Sequence, residues 1–184
     1  MDILKMLAQS GSLSQISKEY GISEEAITQA IEMGLPQIAG AISKNTSTDK
    51  GLADFMKAIQ SHKDADVEGM VKDVNKIDTV DGAKILGHVF GNQQEDIALN
   101  IAKKSGLSSV DIMKILSILA PLLMGSLGNQ SKTKKMTSNE GIDSSLETLL
   151  GGKSGVMGMM KSFLDKDKDG SIVDDLLGSM LKGK

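Results

Sequence analysis

Residues 101–127 read IAKKSGLSSVDIMKILSILAPLLMGSL, and residues 16–42 read ISKEYGISEEAITQAIEMGLPQIAGAI. The two stretches align without a gap at an offset of 85 positions. The identical pairs are Ile16 and Ile101, Lys18 and Lys103, Gly21 and Gly106, Ser23 and Ser108, Ile27 and Ile112, Pro36 and Pro121, and Gly40 and Gly125. Because two glycines, a proline and the apolar frame keep one register, we predict a helical unit that occurs twice in the chain.

The composition indicates a globular chain with an unusual core. Its 184 residues suffice for one domain or two small ones, and 40% of them are apolar. Only four residues are aromatic, whereas twelve are Met, so aliphatic side chains and soft methionines must fill the core. The sequence contains no Cys, which excludes a disulfide framework and a zinc–thiolate site.

The charge pattern argues against a general affinity for nucleic acid. All 21 basic residues are Lys and the net charge is −3, so the chain lacks the Arg fork that grips phosphates and guanines. The N-terminus has no secretory signal pattern. The longest apolar run, residues 112–127, is interrupted by Lys114 and Ser117 and falls short of the ~20 residues that span a bilayer. We therefore expect a cytoplasmic protein without a membrane span.

Apolar residues recur at the helical period throughout, and no stretch alternates convincingly like a strand. The sequence therefore predicts an all-α fold, with Asp2 and Ser23 as helix caps and Gly21 as a helix stop. Pro36 is predicted to lie in the first turn of its helix, where its missing N–H is harmless. The predicted helices cover residues 3–7, 12–20, 24–33, 35–42, 51–60, 67–74, 96–105, 109–119, 121–127, 142–150, 156–164 and 172–181.

The chain divides at its changes of composition. Residues 1–80 form the first predicted helical unit, and residues 81–128 form the second. Residues 129–141 are polar, locally basic and free of apolar periodicity, which predicts a flexible linker. Residues 142–184 are predicted to be a C-terminal helical hairpin that completes the second unit.

The strongest chemical motif is the stretch DKDKDGS at residues 165–171, which is like the first half of an EF-hand loop. Three carboxylates at alternate positions can converge on one hard cation, and the following Gly permits the sharp turn. The motif predicts a calcium site, the only cofactor expected from the sequence. The candidate metal ligands are Asp165, Asp167, Asp169, Ser171, Asp174 and Asp175.

The acidic motif departs from an EF-hand at its twelfth position, where Leu176 replaces the Glu that normally closes the loop. Asp174 or Asp175 could replace that ligand only if the loop closes differently. We therefore expect a dissociation constant of ~10⁻⁴ to 10⁻³ M. The alternative is a solvated turn that caps the last helix. The matching stretch of the first unit keeps Asp64 and Asp66 but lacks the third carboxylate and the Gly, which predicts a purely structural turn.

Both repeats also have the turn Gly and apolar spacing of a DNA-binding helix-turn-helix. The positions that would face DNA are Glu24, Glu25, Thr28, Gln29 and Glu32 in the first copy, and Ser109, Val110, Met113 and Lys114 in the second. Three carboxylates in the first copy would repel phosphates, and the second copy offers one positive charge. We therefore favour a packing role for the turn, with DNA binding as the alternative.

No catalytic constellation can be assembled from the sequence. His62 and His88 each stand alone, and His88 is predicted to be a buried, hydrogen-bonded residue rather than a catalytic base. No arrangement of Ser, His and Asp is evident, so we do not expect an enzyme.

The segment that starts at Pro121 and ends at Leu127 is apolar around most of the circumference of its predicted helix. Such a helix is either buried in the core or part of an interface. We favour burial, and the alternative is self-association or a protein partner that binds through this segment.

An ordered set of short motifs resembles one bacterial family. The motifs are GIS at residues 21–23, LPQI at 35–38, ILGHVFG at 85–91, SGL at 105–107, LAPLLMG at 119–125 and DKDKDGSIVDDLLG at 165–178. Together they resemble the domain of unknown function 937 family, akin to YidB-like proteins, over nearly the whole chain. The resemblance implies an all-helical protein and no established biochemical activity.

The sequence is most consistent with a non-enzymatic protein built from a duplicated helical unit, which serves as a binding or assembly module. The alternative is a DNA-associated regulator that uses residues 23–33 and their counterpart in the second copy.

Overall fold

The computed structural model describes residues 2–133 and 136–152. Within these ranges the chain is helical throughout its regular structure and contains no β-strand, which confirms the predicted all-α class. The α-helices are α1 (Ile3–Ser10), α2 (Ser12–Tyr20), α3 (Glu24–Thr46), α4 (Asp49–Ser61), α5 (Val67–Lys72), α6 (Thr79–Phe90), α7 (Gln94–Ser105), α8 (Ser109–Ser131) and α9 (Asn139–Leu149). Short 3₁₀ helices cover Val74–Lys76 and Gly91–Gln93.

Local signals place several helix ends where the sequence predicts them. The Asp2 carboxylate accepts from the backbone N–H groups of Leu4 and Lys5 and so caps α1. α2 ends at Gly21, whose φ of 67° is in the left-handed region, and α7 ends at Gly106 with a φ of 73°. These helix ends follow from local chemistry, because each needs only a capping side chain or a glycine at the right position.

The two long helices, α3 and α8, correct the sequence-based interpretation. We expected a helix to start near Pro36 and another near Pro121, but each proline is the thirteenth residue of a continuous 23-residue helix. An interior proline removes one hydrogen bond and costs ~3 kcal/mol. Burial on both sides of it offsets that cost: in α3, Leu35 and Ile38 are fully buried.

Helix α8 is the centre of the fold. It packs against α3, α4, α5, α6, α7 and α9, and residues 115–128 are all buried. By length and composition α8 could also cross a bilayer, with a mean hydropathy of 1.7 over 18 residues. Of that window, 72% is buried inside the fold, as expected for the core helix of a globular unit.

The segment from Pro121 to Leu127 is therefore a core element. Every one of its residues is buried among neighbouring helices. Burial, the alternative that we favoured, is the one observed. An interface through this segment would require the fold to open. A protein partner would have to use another surface.

Two glycines show how closely other parts of the chain approach α8. A Cβ on Gly82 of α6 would lie 1.9 Å from the carbonyl oxygen of Ser117, and one on Gly125 would lie 2.9 Å from side chains of Ala65 and Val67. Gly40 aligns with Gly125 in the repeat, yet it is exposed and has no such neighbour within 4 Å. Of these two aligned glycines, only Gly125 has a packing role.

Both ends of the segment that we predicted to be a linker are helical. Of the linker predicted over residues 129–141, residues 129–131 form the last turn of α8 and residues 139–141 the first turn of α9. Met136, between them, is only 2% exposed. At the start of α9, the Thr46 hydroxyl donates to Oδ1 of Asn139 at 2.5 Å and so links α9 to the end of α3.

Candidate functional site

The predicted metal ligands lie outside the residues that the structure describes. These ligands are Asp165, Asp167, Asp169, Ser171, Asp174 and Asp175. Within residues 2–133 and 136–152, no three His, Asp or Glu side chains converge as a metal site. In the first unit, Asp66 caps α5 by accepting from the N–H of Gly69, while Asp64 pairs with Lys132 at 2.7 Å. Both carboxylates thus make local structural contacts.

The exposed positions of the two segments that we predicted to resemble a helix-turn-helix have different surroundings. In the first copy, Glu24, Glu25 and Gln29 are exposed, so α3 presents carboxylates at its N-terminal turn. In the second copy, Ser109, Val110, Met113 and Lys114 all line one groove. The structure therefore brings the second set together in a cavity that sequence reasoning did not predict.

This cavity, the Val110 groove, has a volume of about 660 Å³ and lies between α6, α7 and α8, with Tyr20 of α2 on its edge. Ala83 and Ala98 contribute apolar surface from the neighbouring helices. Val110 is 63% exposed, which is unusual for a large aliphatic side chain in this fold. The volume is within the range of ligand sites in proteins, ~300–1,000 Å³.

A chain of polar contacts holds Lys114, one of the residues that line the Val110 groove. The Ser108 hydroxyl donates to Asp111 at 2.6 Å, and Lys114 Nζ donates to the same carboxylate at 3.0 Å. These two donors lower the pKa of Asp111 below its usual value. Lys114 Nζ also lies 5.5 Å from the centre of the Tyr20 ring, within the range of a cation–π contact. The positive charge of Lys114 is thus already paired.

Tyr20 is a neutral phenol at this edge of the groove. Burial raises its pKa, and the neighbouring Glu19 raises it further by charge repulsion and hydrogen bonding. The groove therefore combines apolar side chains with neutral polar groups, the paired cation of Lys114 and the carboxylate of Glu95. This chemistry suits the apolar face of a peptide better than it suits a phosphate backbone.

The two histidines correct the sequence-based interpretation. His88, predicted to be buried, is exposed on α6. His62 lies at the C-terminal end of α4, with Nδ1 2.7 Å from the carbonyl oxygen of Ala58 and Nε2 3.0 Å from Oδ2 of Asp81. No local pattern relates residues 62 and 81, so this pair could not be found from the sequence.

A second cavity, the Leu149 groove, has a volume of about 550 Å³ and lies between α1, α5 and α8, beside the end of α9. Val67, Val71 and Leu149 are nearly buried and form its apolar floor, and Gln9 lies exposed at its edge.

The fold and these surfaces define an all-helical protein with a buried central helix and open apolar grooves beside it. The chain belongs to the family described as bacterial protein of unknown function (DUF937), whose model matches residues 2–130. This match confirms the family that the sequence motifs indicate. It covers α1 to α7 and nearly all of α8, while the acidic motif at residues 165–178 lies beyond it. No curated protein and no solved structure matches the chain.

Proposed function

We propose that this protein is a non-enzymatic binding or assembly module and that the Val110 groove receives the apolar face of a partner's helix. The observation that carries the proposal is the 63% exposure of Val110 beside an apolar groove. Apolar grooves between helices commonly bind amphipathic helices, and Met113 in its wall can adapt its shape to different side chains.

The geometry of the long helices supports a duplicated unit. α3 and α8 are both 23 residues long, each starts after a Ser cap, and each has Pro as its thirteenth residue. Their starts, prolines and ends are all separated by the same 85 positions. On this proposal the Val110 groove lies where Tyr20 of the first unit meets α7 and α8 of the second. The unit boundary predicted at residues 80 and 81 falls inside α6.

The alternative, a DNA-associated regulator, has weaker support. Glu24 and Glu25 are exposed at the start of α3, where they would repel phosphates. In α8, Asp111 holds Lys114 at 3.0 Å and offsets its charge. A shift of duplex DNA by the full chain at low salt, lost on Lys114→Ala, would favour the regulator over the binding module.

Weak calcium binding by the acidic loop remains part of the proposal on sequence grounds alone. The spacing of Asp165, Asp167 and Asp169 supports it, and the missing closing Glu limits the expected affinity. A melting temperature that is the same in calcium and in EDTA would remove this part of the proposal.

Changing Val110 to Glu tests the groove as a binding site. We expect the full chain to bind a fluorescent, net-neutral amphipathic 18-residue peptide of Leu, Ala, Glu and Lys in an anisotropy titration. Val110→Glu should weaken that binding about tenfold or more, because a carboxylate would have to be desolvated against an apolar face. The variant should fold normally, since Val110 is exposed in the first turn of α8, where a negative charge is favoured.

Gln60→Glu is the matched control, because Gln60 is exposed on α4, lies outside the groove lining and gains the same charge. It should bind the peptide as tightly as the unchanged protein. Equal affinity of all three proteins, or no saturable binding by any of them, would contradict the proposed site.

A further inference from the structure

The Val110 groove has an unpaired carboxylate in its lining. Among the described residues that line the groove, Glu95 and Lys114 are the charged ones. Glu95 is exposed in the first turn of α7, whereas Lys114 is held by Asp111 at 3.0 Å. In the described part of the chain, no basic side chain forms an ion pair with Glu95. The carboxylate of Glu95 is therefore available to a positive charge on a partner.

The residues next to the lining make this negative charge larger. The lining residues and their immediate neighbours in the chain together include five carboxylates and two lysines. The carboxylates, which we call the acidic rim, belong to Glu19, Asp78, Glu95, Asp96 and Asp111, and the lysines are Lys84 and Lys114. The excess of three negative charges equals the net charge of the whole chain, −3. The other charges of the chain therefore cancel, and the excess is concentrated around this groove.

Apolar surface extends beyond the lining of the groove. Three large aliphatic side chains are exposed in the described part of the chain, Val80 at 65%, Leu99 at 41% and Val110 at 63%. Val80 follows the lining residue Thr79 in α6, and Leu99 follows the lining residue Ala98 in α7. Single exposed aliphatic residues are common on protein surfaces, but these three all lie in or beside one groove. The surface is thus an apolar centre with acidic surroundings.

We propose that the partner of the Val110 groove is a basic amphipathic helix, which places its apolar face on Val110 and its Lys or Arg side chains at the acidic rim. This inference deepens the proposed binding function and rests on it. In interfaces of this kind the desolvated apolar centre supplies most of the affinity, and the charges at the rim select the partner. An acidic helix would meet like charge at Glu95 and Asp96, and so would a nucleic acid.

Peptides of different charge test the proposal in anisotropy titrations with the full chain. The first is the net-neutral peptide used with Val110→Glu, and two others share its apolar face but carry net charges of about +4 and about −4. At an ionic strength of about 0.05 M, we expect the basic peptide to bind about tenfold more tightly than the neutral one, and the acidic peptide about tenfold more weakly. These differences should largely disappear in about 1 M salt, because salt screens exposed charges.

Charge reversal at Glu95 tests the position of the contact. Glu95→Lys should reduce the preference for the basic over the neutral peptide to about twofold. Asp49→Lys is the matched control, because Asp49 is also exposed in the first turn of a helix, α4, which contributes no described residue to the groove lining. Both variants place a positive charge at a helix N-terminus, so any cost to folding is similar. The control should keep the tenfold preference.

The outcomes separate this inference from the function on which it rests. Equal affinity for the three peptides, weakened in each case by Val110→Glu, would overturn the basic partner and leave the binding function of the groove intact. A preference for the basic peptide that Glu95→Lys does not change would also overturn the inference, because the charge would then be read elsewhere. A dimer that Val110→Glu dissociates would assign the groove to a second copy and would overturn it too. No saturable binding of any peptide would contradict the binding function itself, and this inference with it.

Discussion

Gly82→Ala is expected to destabilise the protein by about 3 kcal/mol or more, the upper end of the cost of overpacking a core. The added Cβ would lie 1.9 Å from the Ser117 carbonyl oxygen, 2.8 Å from its carbon and 3.0 Å from its Cα. All three are backbone atoms of α8, so no rotamer change can relieve the contact. The helices α6 and α8 would have to separate, and α6 is one of the main helices packed on α8.

The matched control is the same substitution at Gly40. This glycine also lies inside a helix, but it is exposed and a Cβ there would meet no atom within 4 Å outside its own helix backbone. Gly40→Ala should therefore stabilise the protein by about 0.5–1 kcal/mol, the usual gain when Ala replaces Gly in a helix. Urea unfolding followed by circular dichroism measures both effects. Similar changes in the free energy of unfolding for the two variants would contradict the close contact of α6 with α8.

The second large effect is expected at His62, which joins the end of α4 to α6. Burial alone would lower its pKa, but contacts with the Ala58 carbonyl and the Asp81 carboxylate outweigh burial and raise the pKa above the usual 6.5. A neutral imidazole has one N–H and cannot donate to both acceptors, whereas the protonated ring can. The positive charge also lies at the C-terminal end of α4, where the helix dipole favours it.

His62→Ala should consequently destabilise the protein in a pH-dependent way. Because the folded-state pKa is raised, the contribution of the charged pair is fully present below about pH 6.5 and is lost as the pH rises through the folded-state value. We expect about 1 kcal/mol at low pH, since Asp81 is 38% exposed and water screens the pair. Urea midpoints measured on both sides of that pH window give the difference.

His88→Ala provides the reference for the second prediction. His88 is exposed on α6, so its removal should change stability by less than about 0.5 kcal/mol at every pH. Asp81→Asn should lose most of the same pH-dependent stability that His62→Ala loses, because it removes the charge that pairs with His62. A pH profile of His62→Ala that is parallel to that of the unchanged protein would refute the role of the pair.

The acidic motif at residues 165–171 and the Val110 groove differ in how far sequence alone can recognise them. The three alternate Asp residues of the motif are recognisable from sequence because EF-hand ligands follow one another along the chain. The Val110 groove is different, because its walls come from α2, α6, α7 and α8. Val110 and Met113 are recognisable from sequence as exposed positions of a turn motif, but their neighbours across the groove are not. A groove whose walls come from helices far apart along the chain leaves no recognisable pattern in any one stretch of the sequence.

The sequence by itself determined the helical class, the family, the Asp2 and Ser23 caps, and the glycine stops at Gly21 and Gly106. These features depend on residues within one or two turns of each other, so local chemistry suffices. Only the tertiary structure decided that α3 and α8 continue through their prolines, because the compensating burial comes from other helices. It also decided that Gly125 packs while Gly40 does not, and that His62 meets Asp81. In each case the deciding neighbour is distant along the chain.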